Sequence, residues 1–138
     1  MVVGLKADFF WYSIGEPDFL HSFFSSVCIN LENGRWGEKF PIVMKNLYSG
    51  QLAVEQISQA SVELEQIERE FQVLSPDKVI WDANDLSKTP PWGDNISTDV
   101  KNLSDYYLTS SGDNIFTTFK NAFRDGLKEN VPIEILNL

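Results

Sequence analysis

The sequence predicts an α+β fold, a small and mainly antiparallel sheet with helices packed on it, forming a single domain over residues 1–138. Three observations predict it. Segments of period two, which read as strands, lie near both ends of the chain. Apolar stripes of helical period dominate the first half. No repeat, low-complexity tract or linker-like stretch divides the 138 residues, a length that can bury a core without disulfides or metals.

Val2–Tyr12 is predicted as a strand, with Val3, Leu5, Ala7, Phe9 and Trp11 on one face and Lys6 and Asp8 on the other. Gly15-Glu16-Pro17 then starts a helix, with Pro17 in its first turn and acidic groups near the positive end of the dipole. Leu20, Phe23, Phe24, Val27, Cys28 and Leu31 form its apolar stripe. Ser22, Ser25, Ser26 and Asn30 make up much of the opposite face, and Asn33-Gly34 ends it. A loop around Trp36-Gly37 leads to a short helix from Pro41 to about Tyr48, stopped at Gly50.

The clearest period in the chain follows. Ala53, Ile57, Ala60, Leu64, Ile67, Phe71 and Leu74 step alternately by four and three, which predicts a helix with one apolar stripe. Glu55, Glu63 and Glu70 lie away from the stripe's centre and read as exposed, and Glu65 and Arg69 give weak i,i+4 support. Ser75-Pro76-Asp77 closes the helix. Lys78–Trp81 and Tyr106–Ser110 are strand candidates, with a helical turn expected at Asp99–Leu103. Asp113 or Asn114 caps a helix whose apolar side is Ile115, Phe116, Phe119, Ala122, Phe123 and Leu127. Val131–Leu138 is the last strand, and Pro132 marks either a sheet edge or a strand start. The predicted order is β-α-α-α-β-β-α-β.

The formal net charge of −9 disfavours nucleic acid and anionic membrane surfaces as partners. It permits fast, salt-sensitive association with a basic partner, although the same acidity also serves plain solubility. No apolar run approaches a membrane span, and the opening MVVGLKADFFWYS has no signal-peptide pattern. With Cys28 as the only cysteine, a cytoplasmic protein is expected.

Motifs for catalysis are missing. His21 and Cys28 are too few for a zinc site and lack the partners of a Cys-His nucleophile, so both read as structural. No G-x-S-x-G elbow, Walker loop or G-x-G-x-x-G occurs, and no cofactor is expected. The segment Ile80–Ser97, IWDANDLSKTPPWGDNIS, stands apart. It is long and aperiodic, yet its two tryptophans and rigid Pro90-Pro91 step argue for one held shape. Asp82, Asp85 and Asp94 beside Trp81 and Trp92 could serve a small carboxylate-dependent hydrolase, but loop aspartates are usually turn formers. Trp36 and Trp92 each precede a glycine in a loop, where a tryptophan either plugs the core or anchors a partner.

Four stretches resemble the immunity-protein family 70 of bacterial polymorphic toxin systems: Trp11–Ser25, Trp36–Leu52, Val79–Ser97 and Leu103–Phe116. The PPWG-x-NIS block with its upstream Trp81-Asp82 pair is the most distinctive part. The resemblance implies a small cytoplasmic protein, not an enzyme, that binds and neutralises a cognate toxin domain. It carries over no catalytic motif. Net charge favours a toxin with a basic surface, such as a nuclease. The expected contact surface is Trp36, Asp82, Asp85, Trp92 and Asp94, with Glu55, Glu63 and Glu70 as an alternative patch. Two rival readings are the hydrolase and a homodimer seamed along the Ala53–Leu74 stripe; oligomeric state stays open.

Overall fold

The computed structural model describes residues 2–93 and 95–137. Among these, four strands form one antiparallel sheet: β1 (Val3–Ala7), β2 (Phe10–Gly15), β3 (Gln51–Leu52) and β4 (Ile133–Asn137), in the order β2-β1-β4-β3. Four α-helices accompany it: α1 (Pro17–Leu31), α2 (Val54–Phe71), α3 (Leu103–Tyr106) and α4 (Ile115–Glu129). A π-helical turn covers Ile42–Leu47 and a 3-10 turn covers Pro76–Lys78. The α+β reading therefore holds. β4 pairs on both sides, so Pro132 marks a strand start rather than an edge.

Helix α4 lies against β1, β2 and α2, while α1 lies against α2 and β2. The predicted stripe of α2 is the seam of this packing: Ile57, Ala60, Leu64, Ile67 and Phe71 are buried. It is occupied within the chain and is not a free face for the rival homodimer seam. Phe23 of α1 is the hub of the core. Its ring meets Phe24, Phe71, Tyr107, Phe116 and Phe119 at centroid distances of 5.4–5.9 Å, in mostly tilted or edge-on geometry favoured by aromatic quadrupoles.

Three predicted strands differ. Val2–Tyr12 is not one strand but most of a hairpin. Asp8 adopts a φ of 56°, the chain reverses at Asp8-Phe9, and Ala7 pairs with Phe10. Phe9 is thus a hairpin tip, 93% exposed, and not core. Trp11 lies half-buried across the outer sheet face over Gly4, its indole donating to Ser13 Oγ at 2.9 Å. Alternation continues across a tight turn of two residues, so period alone does not reveal the reversal. Lys78–Trp81 forms no strand, because its backbone bonds to side chains of α1 instead. Tyr106–Ser110 keeps only a lone bridge, Leu108 to Asn114. The helical turn expected at Asp99–Leu103 comes later, as α3 at Leu103–Tyr106, where Asn102 Oδ1 accepts from Asp105 N–H. β3 carries no alternation long enough to read.

Two buried carboxylates organise residues 32–48. Glu32, 3% exposed, accepts from the backbone N–H groups of Gly37, Lys39 and Phe40 at 2.9–3.0 Å. Glu63, 6% exposed, accepts from Ile42 and Val43 at 3.3 and 2.8 Å, satisfying free donors at the start of the π-helical turn. Glu63 therefore leaves the exposed patch expected on α2. Its position at the stripe's margin is covered by the 41–47 segment, a contact between chain segments 20 residues apart. Desolvation raises the Glu63 pKa, the two backbone bonds oppose that, and the charge of Glu32 adds to the rise.

Gly4 has no room for a side chain: a Cβ there would lie 2.5 Å from the Trp11 ring and 2.6 Å from the Tyr12 carbonyl oxygen. Gly4→Ala is expected to cost about 1–3 kcal/mol in urea denaturation through overpacking. The raised folded pKa of Glu63 makes its contribution most favourable below the ordinary value of 4.5, and that contribution declines as pH rises through the raised value. The stability of the parent relative to Glu63→Gln is therefore expected to fall from acid toward neutral pH, measured by urea melts of both proteins across that range.

Candidate functional site

Helix α1 carries one formal charge, Asp18, in its 15 residues. It is buried on nearly all sides, including Ser22, Ser25 and Ser26, which the amphipathic reading places opposite the core. These hydroxyls receive the segment that follows α2. Ile80 N–H donates to Ser26 Oγ at 2.9 Å, and Ser22 Oγ donates to the Ile80 carbonyl at 2.8 Å. Ala83 N–H donates to Ser25 Oγ at 3.0 Å, and Asn30 Nδ2 donates to the Lys78 carbonyl at 2.9 Å. The buried Tyr107 hydroxyl closes the network, 2.6 Å from Ser26 Oγ and 3.0 Å from Ser22 Oγ. Full burial drives its pKa far above the ordinary range, so it stays a neutral hydrogen-bonding group.

Beyond Ala83 the segment runs through successive turns. Asp85 N–H donates to the Asp82 carbonyl, Lys88 N–H to the Asp85 carbonyl and Gly93 N–H to the Pro90 carbonyl. The aspartate side chains reinforce these turns: Asp82 Oδ1 accepts from Asn84 N–H at 2.9 Å, and Asp85 Oδ1 from Ser87 N–H at 3.1 Å. Gly93 has a φ of 72°, a left-handed value that suits glycine after the Pro-Pro-Trp turn. The loop curves over a hollow of about 250 Å³ lined by Ile80, Trp81, Leu86, Pro90, Ile96 and Tyr106, among others.

The expected contact residues separate into two groups. Trp36 and Asp82 meet through His21. His21 Nε2 lies 3.2 Å from Asp82 Oδ1, Nδ1 lies 3.1 Å from the Tyr48 hydroxyl, and the imidazole stacks on Trp36 at 6.2 Å. Trp36 is half-buried and its indole donates to the Met44 carbonyl at 2.6 Å. Asp82 also faces Lys88 Nζ at 3.5 Å. These two side chains already have partners within the chain. Trp92 and Asp85 are the outward group. Trp92 is 48% exposed, sits edge-on to Trp81 at 5.4 Å and donates its indole N–H to the Tyr106 hydroxyl at 2.8 Å. Asp85 is exposed. Asp94 lies outside the described residues.

Of the acids expected for a hydrolase, Asp82 and Asp85 lie among the described residues, and neither has the raised pKa of a general acid. The bond from Asn84 N–H, followed by that from His21, lowers the Asp82 pKa, and bonds from Ser87 lower that of Asp85. A general acid needs the opposite shift. Among the described residues, no group of three or more His, Cys, Asp or Glu side chains could hold a metal ion, and no helix is long and apolar enough to cross a membrane. Cys28 is buried in the core, which pushes its thiol pKa up, with Glu32 adding to the effect.

The bracing residues Ser22, Ser25, Ser26, Tyr106 and Tyr107 were not legible as such from period. One signal was present: a solvated helix face carries charges, and α1 shows small hydroxyls instead. Ser26→Ala leaves the Ile80 N–H without its acceptor and removes one partner of Tyr107. It is expected to cost about 1–3 kcal/mol and to raise hydrogen exchange at Ile80 and Ala83 more than in the core of α2.

No curated protein and no solved structure matches the chain significantly. The family described as Immunity protein 70 matches residues 5–135. That span includes the hairpin turn at Asp8-Phe9, the serine-faced helix and the whole Trp81–Trp92 loop. The chain belongs to the Immunity protein 70 family.

Proposed function

We propose that the chain binds a cognate toxin domain in the cytoplasm and neutralises it by stoichiometric occlusion, with the Trp81–Gly93 loop as the contact surface. One observation carries the placement. An otherwise well-braced loop of an immunity-family protein leaves a tryptophan 48% exposed, although its indole N–H is already satisfied from within. Trp92 then presents apolar area at little cost in conformational freedom, which is the profile of an interface anchor. Asp85 stands beside it as an exposed charge. Asp82 and Trp36 support the loop from behind, through His21. The net charge of −9 favours a basic toxin surface, such as the phosphate-binding groove of a nuclease.

Co-expression with the toxin domain encoded next to the gene tests the function itself: growth is rescued if the reading is right. The placement is tested by the double variant Trp92→Ala, Asp85→Ala. It is expected to weaken toxin binding by about 2 kcal/mol, roughly 30-fold, with an unchanged circular dichroism spectrum. Unaltered affinity in a folded variant refutes the placement. Association of the parent protein is expected to slow as salt is raised, and a salt-independent rate refutes electrostatic steering.

A further inference from the structure

A second hollow, about 360 Å³, shares Trp81 with the first and is also lined by Trp92. Its walls are Phe19 of α1, Trp81, Trp92 and Leu108, and its lining includes the carboxylate residues Glu16 and Asp18 at the junction of β2 and α1. We infer that this cleft is a receptor for an arginine side chain of the toxin domain; the inference rests on the toxin-binding reading and names the chemistry the loop would recognise.

Three features favour a guanidinium over other occupants. The two indoles meet at 83° with centroids 5.4 Å apart, forming a corner in which a planar cation can lie against an aromatic face. Glu16 and Asp18 are both exposed, and neither forms an ion pair among the described residues. No lysine, arginine or histidine lines the cleft, so its charge is not neutralised from within. The N-terminus of α1 works against a cation, because a helix dipole places about half a positive charge there. Two carboxylates outweigh that half charge and leave the cleft net negative. Arginine is preferred to lysine because its flat fork can stack on an indole and meet a carboxylate at once. Trp92 thus bonds to Tyr106 through its indole N–H and also lines the cleft.

The test uses the intact chain and a minimal probe. Nitrogen-15 spectra follow the indole N–H signals of Trp81 and Trp92 during titration with N-acetyl-arginine amide. Parallel titrations use the neutral isostere N-acetyl-citrulline amide and the apolar N-acetyl-leucine amide. A saturable millimolar-range shift is expected with the arginine probe alone. It should weaken at least about fivefold in Glu16→Gln, Asp18→Asn and vanish in Trp92→Ala. No saturable shift, or an equal response to citrulline or leucine, overturns the inference. In the second arm, Glu16→Gln, Asp18→Asn is expected to weaken toxin-domain binding about tenfold; unchanged toxin affinity overturns the cleft as the toxin's receptor. Should the toxin domain fail to bind even the parent protein, the functional reading falls and the arginine titration still decides whether the cleft takes a guanidinium.

Discussion

The loop that distinguishes this chain depends on the hydroxyl stripe of α1. A segment with no regular structure must still find partners for its buried backbone groups. Here Ser22, Ser25 and Ser26 supply them, and Tyr107 ties the two hydroxyls that bond Ile80 into one network. Only small side chains allow this. Serine brings donor and acceptor close to the helix surface, so the Ile80–Ala83 backbone lies directly on α1. Each bond contributes on the order of 1 kcal/mol net, but leaving one partner buried and unpaired costs more. The network therefore specifies position more than it adds stability.

Residues 32–48 follow the same logic with carboxylates. Glu32 and Glu63 together accept from five backbone N–H groups, so an irregular stretch is held from below by buried side chains. His21 joins the two irregular regions, reaching Tyr48 on one side and Asp82 on the other. The result is a surface of loops that is braced before any partner arrives. A preordered surface loses little conformational entropy on binding.

Much of this was legible in the sequence, and the divisions have physical causes. The stripe of α2 and the aromatic side of α4 read correctly because a helix that packs on one side repeats its apolar residues every three to four positions. The most distinctive block of the family resemblance, PPWG-x-NIS, lies in the least periodic part of the chain. The hairpin at Asp8-Phe9 did not read, because alternation runs through a two-residue turn without a break. The strand candidates at 78–81 and 106–110 failed for a different reason: the first bonds its backbone to side chains of α1 and the second keeps a single bridge, so neither pairs in a ladder.

By itself the sequence determined the α+β class, the main helices and the apolar stripe of α2, and membership of an immunity family. These follow from local period and from contiguous motifs. Only the tertiary structure decided that the serine face of α1 is inside, that Glu63 is buried, and that Trp36 and Asp82 share His21 while Trp92 faces outward. Each of those outcomes joins residues tens of positions apart, and a side chain's exposure depends on what the distant segment covers. A polar residue reads as solvent-facing until the structure shows which backbone group it satisfies.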